Sequence, residues 1–230
     1  MNTATLYLVS TPIGNLEDIT LRALRILREV DFIFAEDTRV TGRLLAHYDI
    51  KNRMMSYHAH NEAGRIPQII GYLREGQQVA LVTDAGTPGI SDPGHKLVKA
   101  AIRAQLPIVP VPGATAAITA LVASGLPTNR FVFEGFLPRK KGRQTKFRQL
   151  AEEPGTIILY ESPHRIQKTI EDIVKHLGNR YIIISRELTK KFEEFIRGHA
   201  QDVLGIIDKR TLKGEIVLLI AGNDFKPIDE

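Results

Sequence analysis

The sequence contains no cysteine, which excludes disulfides, thiolate metal sites and thiol catalysis. No apolar run reaches the roughly 20 residues that a membrane-spanning helix needs. Internal repeats and low-complexity tracts are not evident. The opening residues, MNTATLYLVSTPIGN, lack a basic cluster and pass almost at once into a strand-like run, so they do not read as a secretory signal. No Gly-Lys-Ser/Thr follows a glycine-rich loop, and no G-x-G-x-x-G follows a strand, so neither a Walker-type phosphate loop nor a nicotinamide site is favoured. What remains is a globular balance of 43% hydrophobic and 25% charged residues over 230 positions, enough for one large domain or two compact ones and in keeping with a cytoplasmic protein. A net charge of +5 suits a polyanionic partner, and equally a solvated surface.

The first half alternates short apolar runs with amphipathic stretches. Strands are expected at 5–10, 31–35, 78–84 and 107–111, and helices at 38–48, from Asn61 to Gly76, and at 95–104. Asn15 can cap an earlier helix whose inner face carries Leu21, Leu24 and Leu27. This alternation predicts an α/β domain over 1–112 with a mostly parallel sheet covered on both faces. A helix of small residues, Ala114–Ser124, marks the junction. A second α/β domain over 113–230 is expected to hold a mixed sheet, with strands at 131–136, 156–160, 181–185 and 214–222. Its helices are expected at 163–177, with Ser162 as cap and Pro163 in the first turn, and near 199–209. NDFKPIDE reads as a short tail.

Ligands of open α/β sheets bind beyond the carboxyl ends of the strands. Two loops lie at such ends: STPIGN (10–15) and DAGTPGISDPG (84–94). In the second, Gly86, Gly89 and Gly94 permit close backbone approaches, and Pro88 and Pro93 stiffen the chain. Asp84 can accept hydrogen bonds from a ribose or an amino group. The alternative is a plain connection, for which this loop is long. The stretch PRKKGRQTKFR carries Arg139, Lys140, Lys141, Arg143, Lys146 and Arg148 without an acid, a pattern suited to phosphate contact or to a solvated face. Phe147 within it is expected to pack inward. His58 and His60 form a pair without a third ligand at a telling spacing, which is weak support for a metal.

The ordered runs STPIGNLEDIT, AEDTR (35–39), DAGTPGISDPG, VPGATA and ESPHR (161–165) resemble the tetrapyrrole methylase superfamily of S-adenosylmethionine (SAM)-dependent methyltransferases. The likeness is closer to its ribosomal RNA small-subunit methyltransferase I branch, whose longer members carry a further C-terminal segment. The resemblance implies two α/β domains with SAM in the cleft between them, a homodimer, and methylation of the ribose 2′-hydroxyl of a cytidine in 16S rRNA. It places SAM against Pro12, Ala85, Gly86, Thr87, Ile90, Thr115 and Ala116, and in the second domain against Glu161 and Leu188. Many superfamily members have Gly-Asp-Pro where this chain has Gly86-Thr87-Pro88, so Asp84 is expected to take over part of that carboxylate's role.

Methyl transfer from a sulfonium needs in-line alignment and exclusion of water, and a ribose hydroxyl benefits from a positioned base. Glu161, Asp37 and Lys190 are the candidates, with Glu36 beside them. Alternatives stand next to each: Asp37 as the cap of the following helix, and Glu161 as the partner of Arg165 four residues on. Arg39 and Arg165 are suited to phosphates or to supporting those carboxylates, and His164 to a structural hydrogen bond. A small-molecule methyltransferase acting on a tetrapyrrole is the second reading. A non-catalytic SAM- or nucleotide-responsive RNA-binding protein is the third.

Overall fold

The computed structural model describes residues 4–226, so the first residues of the opening run and the last four of the expected tail lie outside the described residues. The chain forms two compact units, the first ending at Thr115 and the second beginning at Ala116.

The first unit holds a parallel five-stranded sheet in the order β3-β2-β4-β1-β5, comprising β1 (Leu6–Val9), β2 (Phe32–Ala35), β3 (Met54–Ser56), β4 (Val79–Val82) and β5 (Ile108–Val111). Every residue of the central β4 is buried. Ala80 and Val82 enter one core with Leu24, Leu27 and Ile33, while Val79 and Leu81 enter the opposite core with Phe34, Ile69 and Leu97. Alternate residues thus feed two cores, which is why the strand reads as an unbroken apolar run. Pro110 lies in β5, an edge strand, where its missing N–H breaks no inner ladder.

Helices α1 (Leu21–Glu29), α2 (Thr38–His47), α3 (Glu62–Arg74) and α4 (His95–Arg103) connect these strands. Two local expectations are corrected. Asn15 caps only a 3-10 turn, Leu16–Asp18; Thr20 caps α1, its hydroxyl accepting from the Ala23 N–H at 3.1 Å. Starting the helix there turns Leu21 outward, 86% exposed, and Ala23 and Ile26 join Leu24 and Leu27 in the core. The edge strand β3 was not expected; it is only three residues long and offers too short a pattern to read.

The second unit opens with α5 (Ala116–Val122), which packs on its sheet. The sheet order is β6-β7-β10-β8-β9, comprising β6 (Phe131–Phe136), β7 (Thr156–Glu161), β8 (Tyr181–Arg186), β9 (Glu194–His199) and β10 (Ile216–Ile220). β6 and β7 are parallel and the other pairs antiparallel, a mixed sheet. Helices α6 (Arg143–Ala151), α7 (Ile166–Leu177) and α8 (Ala200–Ile207) supply Phe147, Ile170 and Val203 to one core with Ile157, Ile184 and Leu218. α7 starts at Ile166 and not at Pro163. Ser162 and its successors form a turn in which the Ser162 carbonyl accepts from the N–H groups of Arg165 and Ile166, at 2.9 and 3.0 Å.

Candidate functional site

Parallel strands bring their carboxyl ends to one edge, so the loops after β1, β2, β4 and β5 are neighbours in the first unit. Backbone bonds join two of them: the Thr11 N–H donates to Gly86 O at 2.9 Å, and the Gly86 N–H returns to Thr11 O at 3.1 Å. Gly86 has φ of +86°, a conformation that side chains rarely adopt. A Cβ on Gly113 would meet the Ser10 Cβ at 2.8 Å, so glycine there permits the β1 and β5 loops to touch.

Thr87 completes the arrangement. Its hydroxyl lies 2.9 Å from Ser10 Oγ and 3.2 Å from the Ala114 carbonyl. A carbonyl only accepts and a hydroxyl has one proton, so Thr87 donates to Ala114 and accepts from Ser10. Thr87 therefore ties three loops together by its own side chain. Pro12 is buried, Thr115 and Ala116 are half-buried, and Ala85 and Ile90 are exposed.

Four carboxylates line the same edge. Asp37 caps α2 by accepting from the Arg39 N–H at 2.8 Å, and the Arg39 guanidinium grips it at 2.6 Å. These hydrogen bonds hold the Asp37 pKa down to about 2, so at neutral pH it is a weak proton acceptor. Asp84 accepts from the Asp37 N–H at 2.9 Å; burial foremost, with the charges of Glu36 and Asp37, raises its pKa. Thr83 donates to Glu36 at 2.7 Å. Burial pushes Asp92 up to about 6; Glu36 and Asp84 add to this, and a hydrogen bond with Thr83 opposes it. Asp92 was missed from sequence; its signal was the Asp-Pro-Gly that closes the loop, which gave no hint that the chain folds back to Thr83.

The second unit holds the remaining candidates. Glu161, at the end of β7, is 4% exposed. It accepts from the Thr169 hydroxyl at 2.6 Å and the Ser162 N–H at 2.8 Å, and it pairs with Arg165 at 3.4 Å. Lys190 pairs with Glu187 at 3.0 Å and with Glu215 at 2.9 Å. Burial acts against its charge, but these carboxylates prevail and raise its pKa, so it is an ammonium and not a base. Leu188 is buried between Glu187 (φ 50°) and Thr189 (φ 66°), two non-glycine residues whose backbone is held in the left-handed region.

The basic stretch divides. Arg143 pairs with Asp172 at 2.8 Å and donates to the Thr169 hydroxyl at 2.9 Å, and Lys146 pairs with Glu134 at 2.6 Å. Arg139, Lys140, Lys141 and Arg148 are exposed, and Phe147 is 1% exposed, stacked on His176. The rings of His58 and His60 lie 6.0 Å apart. Among the described residues, no group of three or more His, Cys, Asp or Glu is placed to hold a metal ion.

The family model of Tetrapyrrole (Corrin/Porphyrin) Methylases matches residues 5–204. The chain is 52% identical to the Ribosomal RNA small subunit methyltransferase I of Halalkalibacterium halodurans, over 96% of this chain and 77% of that protein. It is 53% identical to the protein of the same name from Synechocystis sp., over 94% and 78%. The solved structure of a diphthine synthase shares the fold, with a TM-score of 0.74 at 14% identity over 95% of this chain and 90% of that one.

The acidic edge has a consequence for stability. Folding raises the Asp92 pKa from 3.8 to about 6, so the fold favours the protonated form. That contribution is complete below about pH 4 and is lost as pH rises through about 6. For this partly exposed carboxyl the loss is about 1 kcal/mol. Urea unfolding of the wild type is therefore expected to lose stability across this window, and Asp92→Asn to flatten the decline. Parallel pH profiles for the two proteins would refute the assignment.

Proposed function

The chain belongs to the tetrapyrrole methylase family, and from that premise we propose that it transfers a methyl group from SAM to the ribose 2′-hydroxyl of a cytidine in 16S rRNA. The observation that carries this reading is the identity of about half of all residues, over nearly the whole chain, with proteins named Ribosomal RNA small subunit methyltransferase I. The exposed cations Arg139, Lys140, Lys141 and Arg148 support a polyanionic substrate. A homodimer in the cytoplasm, acting on 16S rRNA or the small ribosomal subunit, goes with the same reading.

SAM, when bound, supplies a methyl group on a cationic sulfur. The residues of the first unit fit such a molecule in their chemistry. The bare backbone at Ala85-Gly86 allows close approach, and the carboxylates of Asp84 and Asp92 suit its positive groups. Pro12, Thr87, Ile90 and Thr115 would form the rest of this seat. Of the candidate bases, Asp37 is too acidic and Lys190 is held as an ammonium, which leaves Glu36 and Glu161 as the carboxylate candidates.

Two measurements test the reading. Labelled SAM is incubated with the protein and, separately, small ribosomal subunits, naked rRNA and a tetrapyrrole precursor. Label is expected in a ribose methyl of the rRNA; label in the tetrapyrrole alone would contradict the proposal. Replacing Arg139, Lys140 and Lys141 with alanine is expected to weaken RNA binding and to reduce its salt slope by about 0.7 per lost phosphate contact, with SAM affinity retained. An unchanged slope would remove these residues from the RNA interface. Arg143→Ala, which breaks a pair whose side chains are 11% and 13% exposed, is expected instead to cost about 3 kcal/mol of stability.

A further inference from the structure

β6 is an edge strand of the second sheet, and its sequence FVFEGF carries three phenylalanines. Strict alternation would put Phe136 on the face opposite Phe131 and Phe133. A β-bulge at Glu134 cancels this: Phe131 pairs with Thr156, Phe133 with Ile158 and Phe136 with Tyr160, alternate residues of β7 that share one face. The Tyr160 ring stands edge-on to Phe133 at 5.0 Å and to Phe136 at 5.7 Å. Phe133 is half-buried, whereas Phe136 is 58% exposed and Phe131 42%. Leu137, the next residue, enters the core on the other side and so anchors the chain just beyond Phe136.

The surroundings of this aromatic strip are cationic. Arg139 follows Phe136 by three residues, a span of at most about 11 Å, and Lys140 and Lys141 come next. The acid of the strand, Glu134, is engaged by Lys146 at 2.6 Å. Exposed aromatic rings flanked by free cations are what single-stranded nucleic acid requires: rings for base faces, cations for phosphates.

We propose that Phe136, braced by Tyr160, is a stacking platform for an unpaired base of the RNA substrate, while Arg139, Lys140 and Lys141 hold the adjoining phosphates. The proposal rests on the RNA reading above. It adds a contact to base faces, which the basic stretch alone does not provide, and it places that contact on the edge of the second sheet.

The chain has no tryptophan, so Phe136→Trp introduces a single tryptophan at the platform, which can be excited at wavelengths where tyrosine does not absorb. Its emission is expected to be quenched by an unstructured cytidine-rich RNA oligonucleotide and to be unaffected by SAM alone. Phe136→Leu is expected to weaken binding of labelled oligonucleotide about tenfold, and Phe136→Tyr to restore it. Unquenched emission with the RNA bound, or equal affinity of the leucine variant, would overturn the platform while leaving the RNA reading intact. Quenching by SAM alone, or emission that tracks protein concentration and not RNA, would assign the face to the cofactor or to a second copy of the chain and overturn it as well. Failure of the wild type to bind RNA or methylate it would overturn both readings.

Discussion

The hydroxyl of Thr87 accepts a hydrogen bond from Ser10 and donates one to the Ala114 carbonyl, and the site of the first unit takes its shape from that pair. The three loops concerned leave β1, β4 and β5, so a few atoms set the relative positions of three strand ends. Bare backbone on either side makes the contact feasible: glycine at 113 admits Ser10, and glycine at 86 adopts the left-handed turn that pairs with Thr11. Thr87 thus serves as an internal tie. Asp84 and Asp92 stand towards the two ends of the same loop.

Charge on this edge is unevenly distributed, and the unevenness follows from local partners. Asp37 has a guanidinium and a helix N-terminus to itself, and stays ionised far into acid. Asp92 has neither, and sits near Glu36 and Asp84 with burial as the chief influence on it. Carboxylates sharing one strand-end edge therefore divide into an inert cap and a group that titrates close to neutrality. A cationic ligand arriving there would favour the ionised form of Asp92 and offset the cost of its burial.

Much of this was legible in the sequence. The apolar runs of β4 and β10 announce strands buried on both faces, and the glycines and prolines of 84–94 announce a rigid loop at a strand end. Asp37 as a helix cap and Glu161 beside Arg165 follow from spacing alone. Other features depended on contacts far apart in the chain. Thr87 meets Ser10 across 77 residues, and Thr83 meets Glu36 across 47. Arg143 looked like one of six equivalent cations until Asp172 and Thr169, on the next helix, took it out of solvent. The platform at Phe136 was hidden by a one-residue bulge, because a period-2 reading sends that ring to the wrong face.

The proposed SAM seat depends on the Thr87 hydroxyl that joins its three loops. Thr87→Val keeps the size of the side chain and removes both hydrogen bonds. Calorimetric titration with SAM is expected to show affinity reduced by about tenfold or more, as the loss of about 1.4 kcal/mol of loop-fixing interaction implies, with the circular dichroism of the fold unchanged. SAM affinity equal to that of the wild type would show that the three loops hold their shape without this hydroxyl and would contradict the account.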